Sequence, residues 1–178
     1  MEYAIYLPYG IRECDVCRWV DWVGDVDGKD VRRIHLLLNS GGGSVGLALA
    51  IASIIDMLPI EVWTYNIGNV DSAAAIVFAA GRKRICLKSG TFSLHPVGKE
   101  ISGVKTADEL LHLYEEIKAD ELRVCEFINR RLPSLTVNWR QLMADGTRIT
   151  AEEAVRIGLA DNIGEIPKGV KLKIPIGS

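Results

Sequence analysis

Val31-Arg32-Arg33-Ile34-His35-Leu36-Leu37-Leu38-Asn39-Ser40-Gly41-Gly42-Gly43-Ser44-Val45 decides how this chain folds. Its first half is a nearly continuous apolar run, the pattern of a strand buried on both faces of a parallel sheet. Three consecutive glycines end that run and hand over to Val45–Leu58, which is apolar nearly all round and therefore reads as a buried helix. Strand, glycine turn and buried helix in that order make one unit of an α/β protein.

Similar units lie on either side. Upstream, Tyr3-Ala4-Ile5-Tyr6-Leu7 reads as a first strand ended by Pro8-Tyr9-Gly10, and residues 12–24 carry Val16, Val20 and Val23 at helical spacing beside Trp19 and Trp22. Downstream, Pro59 stops the buried helix, and Glu61-Val62-Trp63-Thr64-Tyr65 is β-branched and aromatic enough for a strand. Gly68-Asn69-Val70-Asp71 reads as a turn into a second buried helix, Ser72–Ala80, closed by Gly81. Arg84–Leu87 and Thr91–His95 are further strands. Thr106-Ala107-Asp108-Glu109 has the form of a capping box opening a long amphipathic helix to about Arg131. Thr150-Ala151-Glu152-Glu153 opens a short one that stops at Gly158, and Val170–Ile174 is a last strand candidate. Alternating strands and helices over the first hundred residues predict one α/β domain spanning 1–178.

Composition narrows the function. With 178 residues, 48% hydrophobic and 25% charged, the chain can bury a sizeable core and is not of disordered composition. A formal net charge of −2, with no basic cluster longer than Arg82-Lys83-Arg84, argues against nucleic acid or an acidic membrane as partner. The N-terminus lacks the pattern of a signal peptide, and the apolar stretch from Val45 to Leu58 is too short to cross a bilayer. A cytoplasmic location is the resulting expectation. Cys14 and Cys17 lack the second pair that a closed zinc site needs, and their spacing suits one helix face.

Three features sit where strands meet turns or helices: Ser72, His95 and the glycine loop. Together they supply a nucleophile, a base and a row of backbone donors. A serine hydroxyl attacks well only when a base removes its proton, and backbone N–H groups at a helix start can stabilise an oxyanion. Serine is also a favoured N-cap, so Ser72 alone admits a purely structural reading. Of the three histidines, His35 falls inside a buried strand pattern and His112 on the long helix, which leaves His95 as the base. Gly41, Gly43 and Gly46 satisfy G-x-G-x-x-G, but no acidic residue ends the next strand and no lysine follows the glycines. A nucleotide-binding loop therefore fits poorly.

From about Tyr3 to Ile163 the chain resembles the proteolytic subunit of the caseinolytic (Clp) serine protease. The resemblance rests on Leu38-Asn39-Ser40-Gly41-Gly42-Gly43-Ser44-Val45, on Gly68-Asn69-Val70-Asp71-Ser72-Ala73-Ala74 and on Leu94-His95-Pro96. It implies a ClpP/crotonase-like fold of stacked ββα units with a protruding handle helix at about 106–131. It implies a serine endopeptidase acting on peptides or unfolded proteins, assembled into stacked rings and requiring neither metal nor cofactor. Ser72 would be the nucleophile, His95 the general base, and the N–H groups of Gly43 and Ala73 the oxyanion hole.

The sequence departs from the family at several points. Gly41 stands where the family usually has proline, and Asp71 where it more often has a small residue. Ungapped counting puts Gly146 at the position of the triad acid, so Asp145 fills that role after a one-residue shift. The sequence starts at the first strand, so docking to an ATP-driven unfoldase is not expected. Two other readings compete: a catalytically inactive structural subunit, and a crotonase-type acyl-CoA enzyme that would not depend on Ser72.

Overall fold

A computed structural model describes residues 1–26, 31–132 and 137–173. Around the deciding stretch, β1 (Glu2–Ile11), β2 (Arg33–Gly43) and β3 (Glu61–Asp71) run parallel, with β2 between the other two. Along β2 the side chains Ile34, Leu36 and Leu38 enter the main core while Leu37 enters a smaller one across the sheet with Ala4, Tyr65 and Ile85. Both faces are covered, which is why the run is apolar without alternation.

Helices α1 (Glu13–Val26), α2 (Val45–Met57) and α3 (Ala74–Ala80) supply the main core, and every residue of α3 is buried. In α1, Trp19 is buried and stacks on Trp22 at 6.0 Å, whereas Val20 is exposed. Trp19 thus holds the inward position that helical spacing gave to Val20. Ser44 caps α2 by accepting from the Leu47 N–H at 3.4 Å.

Strand β3 is longer than its sequence suggests because it serves two neighbours. Trp63–Asn66 pairs in parallel with β4 (Lys83–Cys86), and Asn69–Asp71 pairs in parallel with β5 (Thr91–Ser93). The segment read as a turn, Gly68–Asp71, is strand because it has this second partner and because two asparagines bond its backbone. Asn39 Oδ1 accepts from the Asn69 N–H at 3.0 Å, and Asn66 Oδ1 accepts from the Gly68 N–H at 3.0 Å.

The second half of the chain closes the sheet and adds the long helix. Thr106 caps α4 (Ala107–Arg131) in a reciprocal capping box with Glu109, as the sequence predicts. At 25 residues the helix is about 37 Å long. Only Val124, Cys125, Phe127 and Ile128, near its C-terminal end, are buried. Then come α5 (Trp139–Ala144), β6 (Arg148–Thr150), α6 (Ala151–Arg156), β7 (Asn162–Ile163) and β8 (Lys171–Lys173). β6 pairs antiparallel with β5, β7 extends β4, and β8 pairs in parallel with β1 at the opposite edge. The last strand therefore lies within the stretch expected for it, and Ile174 falls outside the described residues. Among the described residues, no helix is long and apolar enough to cross a membrane.

Candidate active site

Ser72 occupies the corner between β3 and α3. Its φ is +54°, and among the described residues it is the one non-glycine residue with positive φ. A left-handed backbone at a residue with a Cβ costs about 1–2 kcal/mol and persists only where neighbours impose it. The constraints are visible. The Ser72 N–H donates to the Ser93 carbonyl at 2.8 Å, and the Ser72 carbonyl accepts from the Ala75 N–H at 3.0 Å. Helix α3 begins only at Ala74, two residues later than the sequence suggests, and Ser72 does not cap it, so the purely structural reading of this serine as an N-cap does not apply. Hydropathy carries no information on the sign of φ, and the corner takes both Ser72 and Ala73 out of the helix.

The glycine loop is packed directly beneath this corner. Gly42 has φ +93°, and a Cβ there would stand 2.6 Å from Ser72 Cβ, 2.8 Å from the Asp71 carbonyl oxygen and 3.0 Å from Ala73 N. Only glycine allows that approach. Gly42 N–H itself donates to Ser40 Oγ at 3.2 Å. Gly43, with φ +142°, lies opposite Ile11, and a Cβ there would meet the Ile11 carbonyl oxygen at 2.5 Å. Asn39 and Asn66, not singled out from sequence, tie the loop, the corner and β5 together. Asn66 Nδ2 completes the set by donating to the Thr91 carbonyl at 2.8 Å. An asparagine at the end of each apolar strand run, Asn39 exposed and Asn66 buried, was the available signal.

His95 follows β5. Leu94 N–H donates to the Thr147 carbonyl at 2.9 Å, carrying the β5–β6 ladder one residue beyond β5. The His95 side chain is exposed, and its Nδ1 lies 2.8 Å from the Pro96 carbonyl oxygen. A carbonyl can only accept, so Nδ1 carries the proton and Nε2 is left with the lone pair in the neutral ring.

Ser72, Ala73 and His95 line one cavity of about 30 Å³, whose remaining walls are apolar and include Val45, Ile76, Val124, Ile128 and Met143. Gly43 and Asp145 are not among its lining residues. No hydrogen bond joins Ser72 and His95 among the described residues, although the two face the same space. Asp145 sits at the C-terminal cap of α5, exposed, and its carboxylate accepts from Gln141 Nε2 at 2.7 Å. It shares neither a hydrogen bond nor an ion pair with His95 among the described residues.

Asp71 lies closer to the site chemistry. It is half-buried, and burial pushes its carboxyl up from the ordinary value. Arg148, a backbone hydrogen bond at Ser93 and the charge of His95 pull it the other way. His35, by contrast, is remote from this corner. It is buried on the opposite face of the sheet between Tyr65 Oη at 2.8 Å and Glu2 Oε2 at 3.1 Å. Cys14 and Cys17 are exposed free thiols on α1.

Comparison with known proteins gives a consistent answer. A family model described as Clp protease matches residues 26–167. An ATP-dependent Clp protease proteolytic subunit from Carsonella ruddii is 27% identical over 168 residues, covering 91% of this chain and 84% of that protein. Proteolytic subunit 3 from Synechococcus sp. strain CC9605 is 33% identical over 147 residues, covering 78% and 70%. Among solved structures, a ClpP1 variant from Listeria monocytogenes superposes with a TM-score of 0.78 at 19% identity, covering 94% of each chain. At that identity the likeness concerns the fold.

Proposed function

This chain belongs to the Clp protease family, and from that premise we propose that it is a serine endopeptidase with Ser72 as nucleophile and His95 as general base. The observation that carries the reading is the left-handed corner that holds Ser72 on the wall of the cavity it shares with His95. Strain of this kind at a sharp strand-to-helix turn lifts a side chain clear of the sheet and fixes its direction.

Because Nδ1 of His95 is engaged by Pro96, Nε2 is the atom that receives the Ser72 proton. Ser72 Oγ then attacks the scissile carbonyl. Negative charge develops on the carbonyl oxygen, and the N–H groups of Ala73 and Gly43 are the donors assigned to it. Ala73 N–H suits the task, since it has no acceptor among the described residues. The imidazolium returns its proton to the leaving amine, and water hydrolyses the acyl-enzyme by the same steps in reverse.

Asp145 enters this reading as the acid. The loop that carries it is bonded to the His95 strand through the Thr147 carbonyl, and its carboxylate would have to leave Gln141 to take over Nδ1. Peptides or unfolded proteins are the substrates, and the working form is a homo-oligomer joined through α4, which exposes Leu110, Leu111, Tyr114 and Leu122.

Intact-mass measurement after a fluorophosphonate probe tests the nucleophile. Wild type should gain one adduct and Ser72→Ala none, with assembly unchanged. The missing His95–Asp145 contact favours one alternative, an inactive structural subunit. No adduct on either protein would put that alternative first.

A further inference from the structure

We propose that Asp71 is a positioning residue for His95, its carboxylate facing the imidazole and stabilising the imidazolium that forms when Ser72 gives up its proton. The proposal rests on the peptidase reading above and concerns the residue immediately before its nucleophile.

Strand register puts the groups on one face. Val70, Phe92 and Ile149 lie in register across β3, β5 and β6, and all three are buried in the main core. The next set in register, Asp71, Ser93 and Arg148, must point to the opposite side, because side chains alternate along a strand. Beyond Ser93 the ladder continues through Leu94, which is buried, so His95 returns to the face of Asp71 and Arg148. Asp71 thus lies within electrostatic reach of two cations, Arg148 and the charged form of His95, and its carboxyl responds to both.

Such a carboxylate supplies what the His95 ring lacks. The Pro96 carbonyl fixes the tautomer but offers only a dipole to the imidazolium. In the set formed by Asp71 and the groups that act on it, Arg148 and His95 are the cations and Asp71 supplies the negative charge. During attack the proton passes from Ser72 Oγ to His95 Nε2, while Asp71 stays ionised and exchanges no proton. Arg148 opposes the effect by drawing on the same carboxylate, so the two residues set the stability of the imidazolium in opposite directions.

The test follows the His95 ring by NMR through a pH titration of the full chain, with the signal assigned by His95→Gln. In Asp71→Asn the midpoint should fall by roughly half a pH unit, the effect of removing a unit charge several ångströms away near solvent. In Arg148→Gln it should rise. The signals of His35 and His112 should stay in place, and added salt should shrink both shifts. Fluorophosphonate labelling of Ser72 at neutral pH should slow about three- to tenfold in Asp71→Asn and recover in part in Asp71→Glu.

A purely structural role for Asp71 would not give shifts of opposite sign in the two variants. If neither variant moves the His95 midpoint, or if Asp145→Asn moves it and Asp71→Asn does not, the proposal is overturned. Should Asp71→Asn fail to fold, Asp71→Ser removes the same charge with a smaller side chain, and an unmoved His95 midpoint in that variant overturns the proposal. A wild type that takes no probe would overturn the peptidase reading alone, and the ring titration would still establish whether Asp71 governs His95.

Discussion

Gly42 shows how little room the Ser72 corner has. A methyl group there would overlap Ser72 Cβ and the Asp71 carbonyl, and it would do so from a backbone with φ +93°. Gly42→Ala should therefore cost roughly 2 kcal/mol or more in chemical denaturation. It should also suppress labelling of Ser72, although neither Ser72 nor His95 has changed. Gly41→Ala is the matched control. Its Cβ would meet nothing within 4 Å and its φ is not in the left-handed region, so stability should stay within about 0.5 kcal/mol of wild type. Equal losses at the two positions would show that general loop stiffness, not the contact with Ser72, is what matters.

At the scale of elements, α4 separates two roles along one helix. Its capping box was legible because Thr106 and Glu109 advertise it by spacing, and the structure forms it in full. The division of its apolar residues was not legible. Leu110 and Leu122 share the amphipathic pattern with Cys125, yet they are exposed while Cys125 is buried. Periodicity gives a face and cannot say where along the helix the rest of the molecule stops. For the same reason β6, β7 and β8 were missed or only outlined. Each has three residues or fewer and is strand only through a partner far away in sequence. The parallel unit around β2 was plain, because burial on both faces leaves a continuous apolar signature. Ser72 and His95 could be chosen by residue type, whereas the bond of Asp145 to Gln141 depends on a cap that no motif specifies. The proposed assembly predicts that Leu111→Glu combined with Tyr114→Glu lowers the molar mass measured by light scattering, with the circular dichroism of the subunit unchanged. Retention of full mass would move the subunit contact to another surface.

Across the whole molecule, the second face of the sheet sets a pH range for stability. His35 is fully buried, and burial lowers its affinity for a proton below the ordinary 6.5 despite the pull of Glu2. In the neutral ring the Tyr65 hydroxyl donates to Nδ1 and Nε2–H donates to Glu2, which satisfies every group. The unfolded chain then binds more protons than the native one below about 6.5. The contribution is complete above that pH and is lost as the pH falls. Tyr65 acts at the other end: burial pushes its hydroxyl from 10.0 up to about 12, so stability declines as pH rises through that interval. Thermal melts should show a lower midpoint at pH 5 than at pH 7, and His35→Gln should flatten that slope. An unchanged slope in the variant would assign the acid limb to other groups.

Helix α4 is also an arm clamped at one end. Its outer part, from Ala107 to Arg123, has no buried residue, and the clamp includes Val124 and Ile128, which are walls of the cavity beside Ser72. A tilt of the arm is therefore a change in the shape of the cleft. If self-association grips the arm, then whatever fills the cleft must alter the association constant, and association must alter affinity in the cleft by the same factor. Enzyme concentration and inhibitor potency would then be two readings of one equilibrium.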